Sequence, residues 1–165
     1  PVFNEKNTIK QKIKKINLLE NIEKQIILVD DGSNDGTTGI IKNELFSQLD
    51  KVIFHQKNLG KGAAIISAKR FIKGEIVIIQ DADLEYDPKD YIKILNTIRK
   101  KEKTVVYGSR VLGKKRYSNH YFTSKLRVFF NHLLTIICNI LYDQKLTDAH
   151  TCYKAFRSNF FKKII

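Results

Sequence analysis

Glu75–Pro88 reads EIVIIQDADLEYDP, and its two halves obey different rules. Ile76–Ile79 is a β-branched apolar run without polar alternation, the pattern of a strand buried on both faces. Asp81, Asp83, Glu85 and Asp87 then follow on alternate positions. Four like charges so close together repel one another and add nothing to a core, so they call for a positively charged partner. An apolar strand that empties into a polar loop also fits an open α/β sheet, where ligands bind at the carboxyl ends of the strands.

The same pattern recurs outward from this stretch. KQIILVDDG (24–32), KVIFHQ (51–56) and KTVVYGS (103–109) are strand-like runs. Between them lie amphipathic segments over about Glu5–Ile22, Gly36–Gln48, Gly62–Ile72 and Pro88–Lys100. The last has Asp87 as N-cap, Pro88 at the first helical position, and Tyr91, Ile92, Leu95 and Ile98 at helical spacing. Alternating strands and helices predict an α/β fold with a mainly parallel sheet flanked by helices, in a single domain over residues 1–165. PVF at the start reads as the end of a strand, and the chain is expected to be truncated at both ends. Polar groups follow four of these runs: NE after PVF, DDGSNDG after IILV, DADLE after IVIIQ and GSR after TVVY. Four strand ends with functional side chains predict one site.

Composition narrows the partner. A formal charge of +13 points to an anionic one. Nucleic acid is not expected, because no aromatic-plus-basic ribbon and no zinc-finger spacing occurs. The two cysteines, Cys138 and Cys152, form no CxxC, which argues against a disulfide framework or a zinc site. His120, His132 and His150 show no metal-ligand spacing.

Two clusters imitate other motifs and fail. From Asp31, the spacing of Ser33, Asp35 and Gly36 imitates a calcium-binding EF-hand loop, but Lys42 occupies the twelfth position where a bidentate glutamate is needed. NLGKGAA (58–64) lacks the first glycine of a Walker A loop and has Gly62 where Ser or Thr should follow Lys61. A strand-end carboxylate followed by glycines suits a nucleotide, and a helix start beside Lys61 suits phosphate or ribose. Asp81 and Asp83, one residue apart on a loop, suit a hard divalent cation, which is usually held by one or two carboxylates and substrate phosphates.

PVFNE, DDGSNDGT, NLGKGAA, DADLEYDP, GSR and TDAHTCYKAFR, in this order and at this spacing, resemble the family 2 glycosyltransferases of GT-A fold. The resemblance covers nearly the whole chain and is closest to the branch of dolichyl-phosphate and undecaprenyl-phosphate sugar transferases. It implies a UDP- or GDP-sugar donor held by Pro1, Phe3, Asn4, Glu5, Asp31, Ser33, Lys61, Asp81 and Ala82. It implies Mg²⁺ or Mn²⁺ at a DxD motif made of Asp81 and Asp83, with Glu85 as a further ligand. Glu85 stands where the mannose-transferring members often carry glutamine, so it adds negative charge. Arg110 of GSR is expected near the donor or acceptor phosphate. The acceptor implied is a polyprenyl phosphate at the cytoplasmic face of the membrane; a glycan hydroxyl, in polysaccharide synthesis, is the alternative, and a noncatalytic nucleotide-binding module a further one.

The role of Asp148, in LTDAHTCYKAFR, depends on that choice. A hydroxyl acceptor needs a base to remove its proton. A phosphate monoester, with a second pKa of roughly 6, is already a nucleophilic oxyanion near neutrality. In that case Asp148 would orient an arginine or lysine instead. Arg110, Arg116 and Arg127, with Lys114 and Lys115, are basic residues clustered before and at the start of the apolar segment Lys125–Tyr142. There Leu126, Phe129, Phe130, Leu133, Ile137, Ile140 and Leu141 fall at helical spacing, so the segment either packs on the sheet or lies at a membrane surface. It is too short and too interrupted for a membrane span.

Overall fold

The computed structural model describes residues 1–100, 104–112 and 122–165. Strands β1 (Ile27–Asp30), β2 (Lys51–Phe54), β3 (Ile76–Ile79) and β4 (Val105–Tyr107) are the β-branched runs of the sequence. Helices α1 (Ile9–Asn17), α2 (Thr37–Ile40), α3 (Lys61–Ala68) and α4 (Tyr91–Lys100) lie between them. α1 starts later than its periodicity suggests because Glu5 serves its N-terminus. The Thr8 and Ile9 amides donate to the Glu5 carbonyl at 3.1 and 3.0 Å, and the Thr8 hydroxyl donates to the Glu5 carboxylate. α2 runs on through a π turn (Ile41–Leu45) and a 3₁₀ turn (Phe46–Gln48), completing the expected helical stretch. The Lys89 amide donates to Asp87 Oδ1 at 3.0 Å ahead of α4, with Pro88 in the first turn as its fixed φ favours.

β1 pairs in parallel with β2, Leu28 opposite Val52. Val2 bridges Asp30, also in parallel, so the PVF segment has strand pairing at its centre. β3, β5 (Lys154–Arg157) and β4 form a second sheet with β5 in the middle, antiparallel to both neighbours. β3 and β4 therefore share one direction, as a mainly parallel sheet requires, and β5 is the reversal within it. A final helix, α6 (Ser158–Ile164), follows β5.

Each sheet has its own core. Val2, Ile9, Ile13, Leu28, Ile41 and Ala82 pack beside β1, whereas Tyr86, Tyr91, Ile94, Ile98, Tyr153 and Ala155 pack under β3–β5–β4. A cleft of about 1240 Å³ lies between the sheets, with Ile27–Val29 and Ile76–Ile79 among its lining and Pro1, Lys12 and Asp81 also reaching it. The loop after β3 joins both cores: Ala82 is anchored in the first and Tyr86 in the second.

α5 (Phe122–Tyr142) bears on the two arrangements that its apolar spacing leaves open. Among its described side chains, Leu126, Phe129, Phe130, Leu133, Ile137, Ile140 and Leu141 are exposed, Phe129 to 60% and Ile140 to 75%, while Thr135 is 4% exposed. The helix docks by polar groups. Thr135 Oγ1 accepts the Ala149 amide at 3.2 Å, and Asn139 exchanges two hydrogen bonds with Leu146 at 2.8 and 2.9 Å. Among the described residues no helix is long and apolar enough to cross a membrane. Lys114, Lys115, Arg116, His120 and the Arg127 side chain lie outside the described residues.

Candidate active site

The loop leaving β3 carries the acids. Gln80 steadies its start, donating to the Asp81 carbonyl at 2.8 Å and accepting the Tyr91 hydroxyl at 3.0 Å. Lys61, the first residue of α3, places its ammonium 2.6 and 2.7 Å from the two oxygens of Asp81. Burial would raise the Asp81 carboxyl, but the Cys152 thiol and the Lys61 ammonium hold it below the usual carboxylate range. Cys152 shifts the other way, upward, through burial and the neighbouring Asp81. It is therefore a neutral thiol aimed at a carboxylate rather than a nucleophile, and both cysteines are free.

Asp83 accepts the Glu85 amide at 3.1 Å, closing a tight turn within the loop. Glu85 reaches outward, its Oε1 3.4 Å from Arg110 Nη1. Among the described residues no three His, Cys, Asp or Glu side chains converge as a metal cluster. Asp81, Asp83 and Glu85 thus do not form a three-carboxylate cage. A magnesium-like ion needs less than that, since one or two carboxylates suffice when phosphate oxygens complete its shell. Asp83 with Asp81 provides such a pair, and the donor set fits.

Arg110 and Asp148 meet across 38 residues of chain. Gly108, which follows β4, donates to the Tyr153 carbonyl at 2.8 Å. A Cβ on Gly108 would stand 2.8 Å from Tyr153 Cβ, so only glycine permits this approach. Two residues on, Arg110 Nε donates to Asp148 Oδ2 at 2.8 Å, Nη2 to Oδ1 at 3.1 Å, and its backbone amide to Oδ2 at 3.2 Å. Asp148 is 2% exposed, with both oxygens engaged. The hydrogen bonds that the guanidinium donates to Asp148 hold it above its usual range, so Arg110 is charged at any physiological pH.

The other strand ends form a scaffold rather than an open set of ligands. Asp31, 3% exposed, accepts the Leu59 and Gly60 amides at 3.0 and 2.8 Å and His55 Nδ1 at 2.6 Å. Burial opposes its charge, but those donors hold its carboxyl below the usual range. His55 Nε2 in turn meets Ser67 Oγ at 2.9 Å. That chain has the connectivity of a hydrolytic triad, yet Ser67 lies inside α3 and its amide belongs to the helix. The relay fixes Asp31 and, with it, the NLGKG loop. Gly32 has φ +77°, and a Cβ there would fall 2.5 Å from the Lys57 carbonyl carbon, so the two loops are in close backbone contact.

Asn4 and Ser33 clip the first strand end to the second. The Asn4 amide donates to Ser33 Oγ and Asn4 Oδ1 accepts the Asn34 amide, both at 2.9 Å. The Glu5 amide donates to Thr37 Oγ1 at 2.9 Å. Phe3 presents a ring that is 43% exposed, the Ala82 side chain turns into the core, and Pro1 is half-buried. The structure thus joins Lys61 to Asp81, Arg110 to Glu85 and Asp148, and Asn4 to Ser33. His55, Lys12, Tyr86 and Thr135 support these groups without having been singled out from sequence. Only Lys12 left a signal there, as a lysine between Ile9 and Ile13 on the apolar face of a helix.

The glycosyl transferase family 2 model matches residues 1–165. The chain is 32% identical over 178 residues to a UDP-N-acetylglucosamine–dolichyl-phosphate N-acetylglucosaminyltransferase of Methanococcus voltae, covering 98% of this chain and 69% of that one. It is 30% identical over 128 residues to a dolichol-phosphate mannosyltransferase of Pyrococcus furiosus, covering 76% of this chain and 36% of that one. The fold matches mannosyltransferase PcManGT of Pyrobaculum calidifontis, solved with GDP-Man and Mn²⁺, at a TM-score of 0.67 and 19% identity, over 99% of this chain and 45% of that one. The chain spans 65% to 71% of the length of the first curated relatives it matches.

Proposed function

Since the chain belongs to glycosyl transferase family 2, we propose that it is the catalytic part of an inverting, metal-dependent transferase that moves a sugar from a UDP- or GDP-sugar to a polyprenyl phosphate. The carrying observation is the engagement of Asp148 by Arg110 through both carboxylate oxygens. A carboxylate buried and bonded in this way is a poor proton acceptor. An acceptor that is already an oxyanion needs none, and the terminal N–H groups that Arg110 does not direct at Asp148 are suited to hold its phosphate.

The acceptor phosphate oxygen attacks the anomeric carbon as the bond from that carbon to the donor diphosphate breaks. The bonding pair leaves on the nucleoside diphosphate, so no proton changes hands. Asp83 and Asp81 would hold a divalent cation, which would supply Lewis acidity to that leaving group. Lys61 is the next cation along, released from Asp81 to the diphosphate when the donor enters. Asn4, Ser33 and the Asp31 scaffold shape the nucleoside end, with the exposed Phe3 ring beside them. The exposed apolar side chains of α5 lie on a helix bonded to the Leu146–Ala149 stretch that includes Asp148. This supports a membrane surface as the source of the acceptor, with the chain peripheral to it.

The test is transfer of labelled sugar from UDP-N-acetylglucosamine or GDP-mannose, with Mn²⁺, to a short-chain prenyl phosphate and, in parallel, to an alkyl glycoside. Label on the phosphate alone supports the reading. Label on the glycoside, abolished by Asp148→Asn, would reassign Asp148 as a base and the acceptor as a hydroxyl.

A further inference from the structure

Lys12 is the one lysine buried among the described residues, 1% exposed on the inner face of α1 with Ile9, Ile13 and Ile16. Helical periodicity calls for an apolar side chain there, and an ammonium withdrawn from water is costly unless it is well bonded. Its partner is the Tyr86 carbonyl, 2.7 Å away in the loop leaving β3. Burial pulls the Lys12 ammonium below its usual range, with Lys15 acting in the same sense and Asp83, Asp87 and Asp81 opposing it.

Tyr86 is held from its other side as well. Its ring lies 4.6 Å from that of Tyr153, and its hydroxyl accepts the Cys152 amide at 3.2 Å. The loop is thus pinned at Ala82 by one core and at Tyr86 by the other, while Leu84 and Glu85 between them are exposed. The span between those pins contains Asp83, and its direction depends on where the Tyr86 carbonyl is held.

We propose that Lys12 is a positioning residue of the donor site: by bonding the Tyr86 carbonyl from beneath, its ammonium fixes the path of the Asp81–Asp87 loop and with it the aim of Asp83. The charge also offsets repulsion among the loop's carboxylates before a cation arrives. The proposal rests on the reading of Asp83 as the metal-side carboxylate, and it assigns a function to a buried charge that the chemistry itself does not use.

The test compares Lys12→Met, which retains length and volume but neither charge nor donor, with Lys12→Gln, which retains a shorter donor. Mn²⁺ binding is titrated with UDP and with GDP present, whose phosphates complete the ion's shell, by electron paramagnetic resonance, and amide exchange is followed at residues 83–87. Lys12→Met is expected to weaken Mn²⁺ binding about tenfold, as loss of a group that orients a metal ligand does. Exchange should accelerate at Glu85 and Tyr86 while β1 and β3 stay protected, and Lys12→Gln should fall between wild type and Met.

A folded Lys12→Met variant with wild-type Mn²⁺ affinity and wild-type loop exchange would overturn the proposal. So would a variant whose whole domain loosens equally with glutamine no better than methionine. Should Met fail to fold, Gln alone decides: faster exchange confined to the loop supports the proposal, and wild-type exchange overturns it. Asp83→Ala is run beside them. If it binds Mn²⁺ like wild type, the metal reading fails, and loop exchange still judges Lys12.

Discussion

Replacing Asp148 by asparagine separates an orienting carboxylate from a base. Removing one partner of a buried ion pair costs roughly 3–5 kcal/mol. Two features reduce that figure here. Asparagine retains an oxygen that can accept from Arg110, and the Arg110 side chain is 25% exposed, so water can reach part of the fork. About 2 kcal/mol of lost stability remains, which for a domain of this size lowers the melting temperature by about 4–8 °C. The same energy, applied to the orientation of Arg110 in the transition state, corresponds to about a 30-fold loss of kcat/KM for the acceptor.

The assay is turnover with a prenyl phosphate between pH 6 and 9, alongside thermal denaturation. An orienting role predicts that the pH profile retains its shape while its height falls. It also predicts that Arg110→Gln loses activity to a similar extent, and that the double variant loses no more than the worse single one, because the two side chains act as one unit. A variant of unchanged stability that lost one limb of the profile, with additive losses in the double variant, would mark Asp148 as a base instead.

Gly32→Ala should destabilise by at least about 2 kcal/mol, since φ is +77° and the new Cβ would meet Lys57 backbone at 2.5 Å; a wild-type urea midpoint would contradict this. Gly39→Ala, inside α2 with nothing within 4 Å of the new Cβ, should instead gain about 0.5–1 kcal/mol on the same measurement. Thr135→Val should cost about 1–3 kcal/mol in urea denaturation, because it leaves the Ala149 amide without its hydroxyl acceptor. Asp31→Asn should flatten the acid limb of stability. The Asp31 carboxyl is held below its unfolded value of about 3.9, so its contribution is complete above about pH 4 and lost as pH falls through the lower folded value. Urea midpoints between pH 2.5 and 7 check the slope, and an identical slope in wild type and variant would count against the relay.

Much of this architecture is legible because it is local. β-branched runs marked β1–β4, and Asp87 with Pro88 marked the start of the fourth helical stretch. β5 was not legible: KAFR is four residues without a β-branched side chain, and it is a strand because β3 and β4 flank it. Apolar spacing marks α5, but spacing alone cannot tell which face docks, and that face is set by the polar bonds of Thr135 and Asn139. In the site, motif order located the acids and Arg110, yet their pairings span long separations. Arg110 and Asp148 are 38 residues apart, and Lys12 and Tyr86 are 74 apart. The resemblance places Asp31 among the donor-holding residues, and the structure adds its partners, His55 and two backbone amides, a partnership no spacing rule contains.

The most direct test of the central claim is calorimetric binding of UDP-N-acetylglucosamine, UDP-glucose and GDP-mannose, with Mn²⁺ and with EDTA, to wild type and Asp83→Ala. The account predicts that one donor binds wild type with Mn²⁺, and that both EDTA and Asp83→Ala abolish that binding. Equal binding in EDTA, or undiminished binding by a folded Asp83→Ala variant, would contradict it.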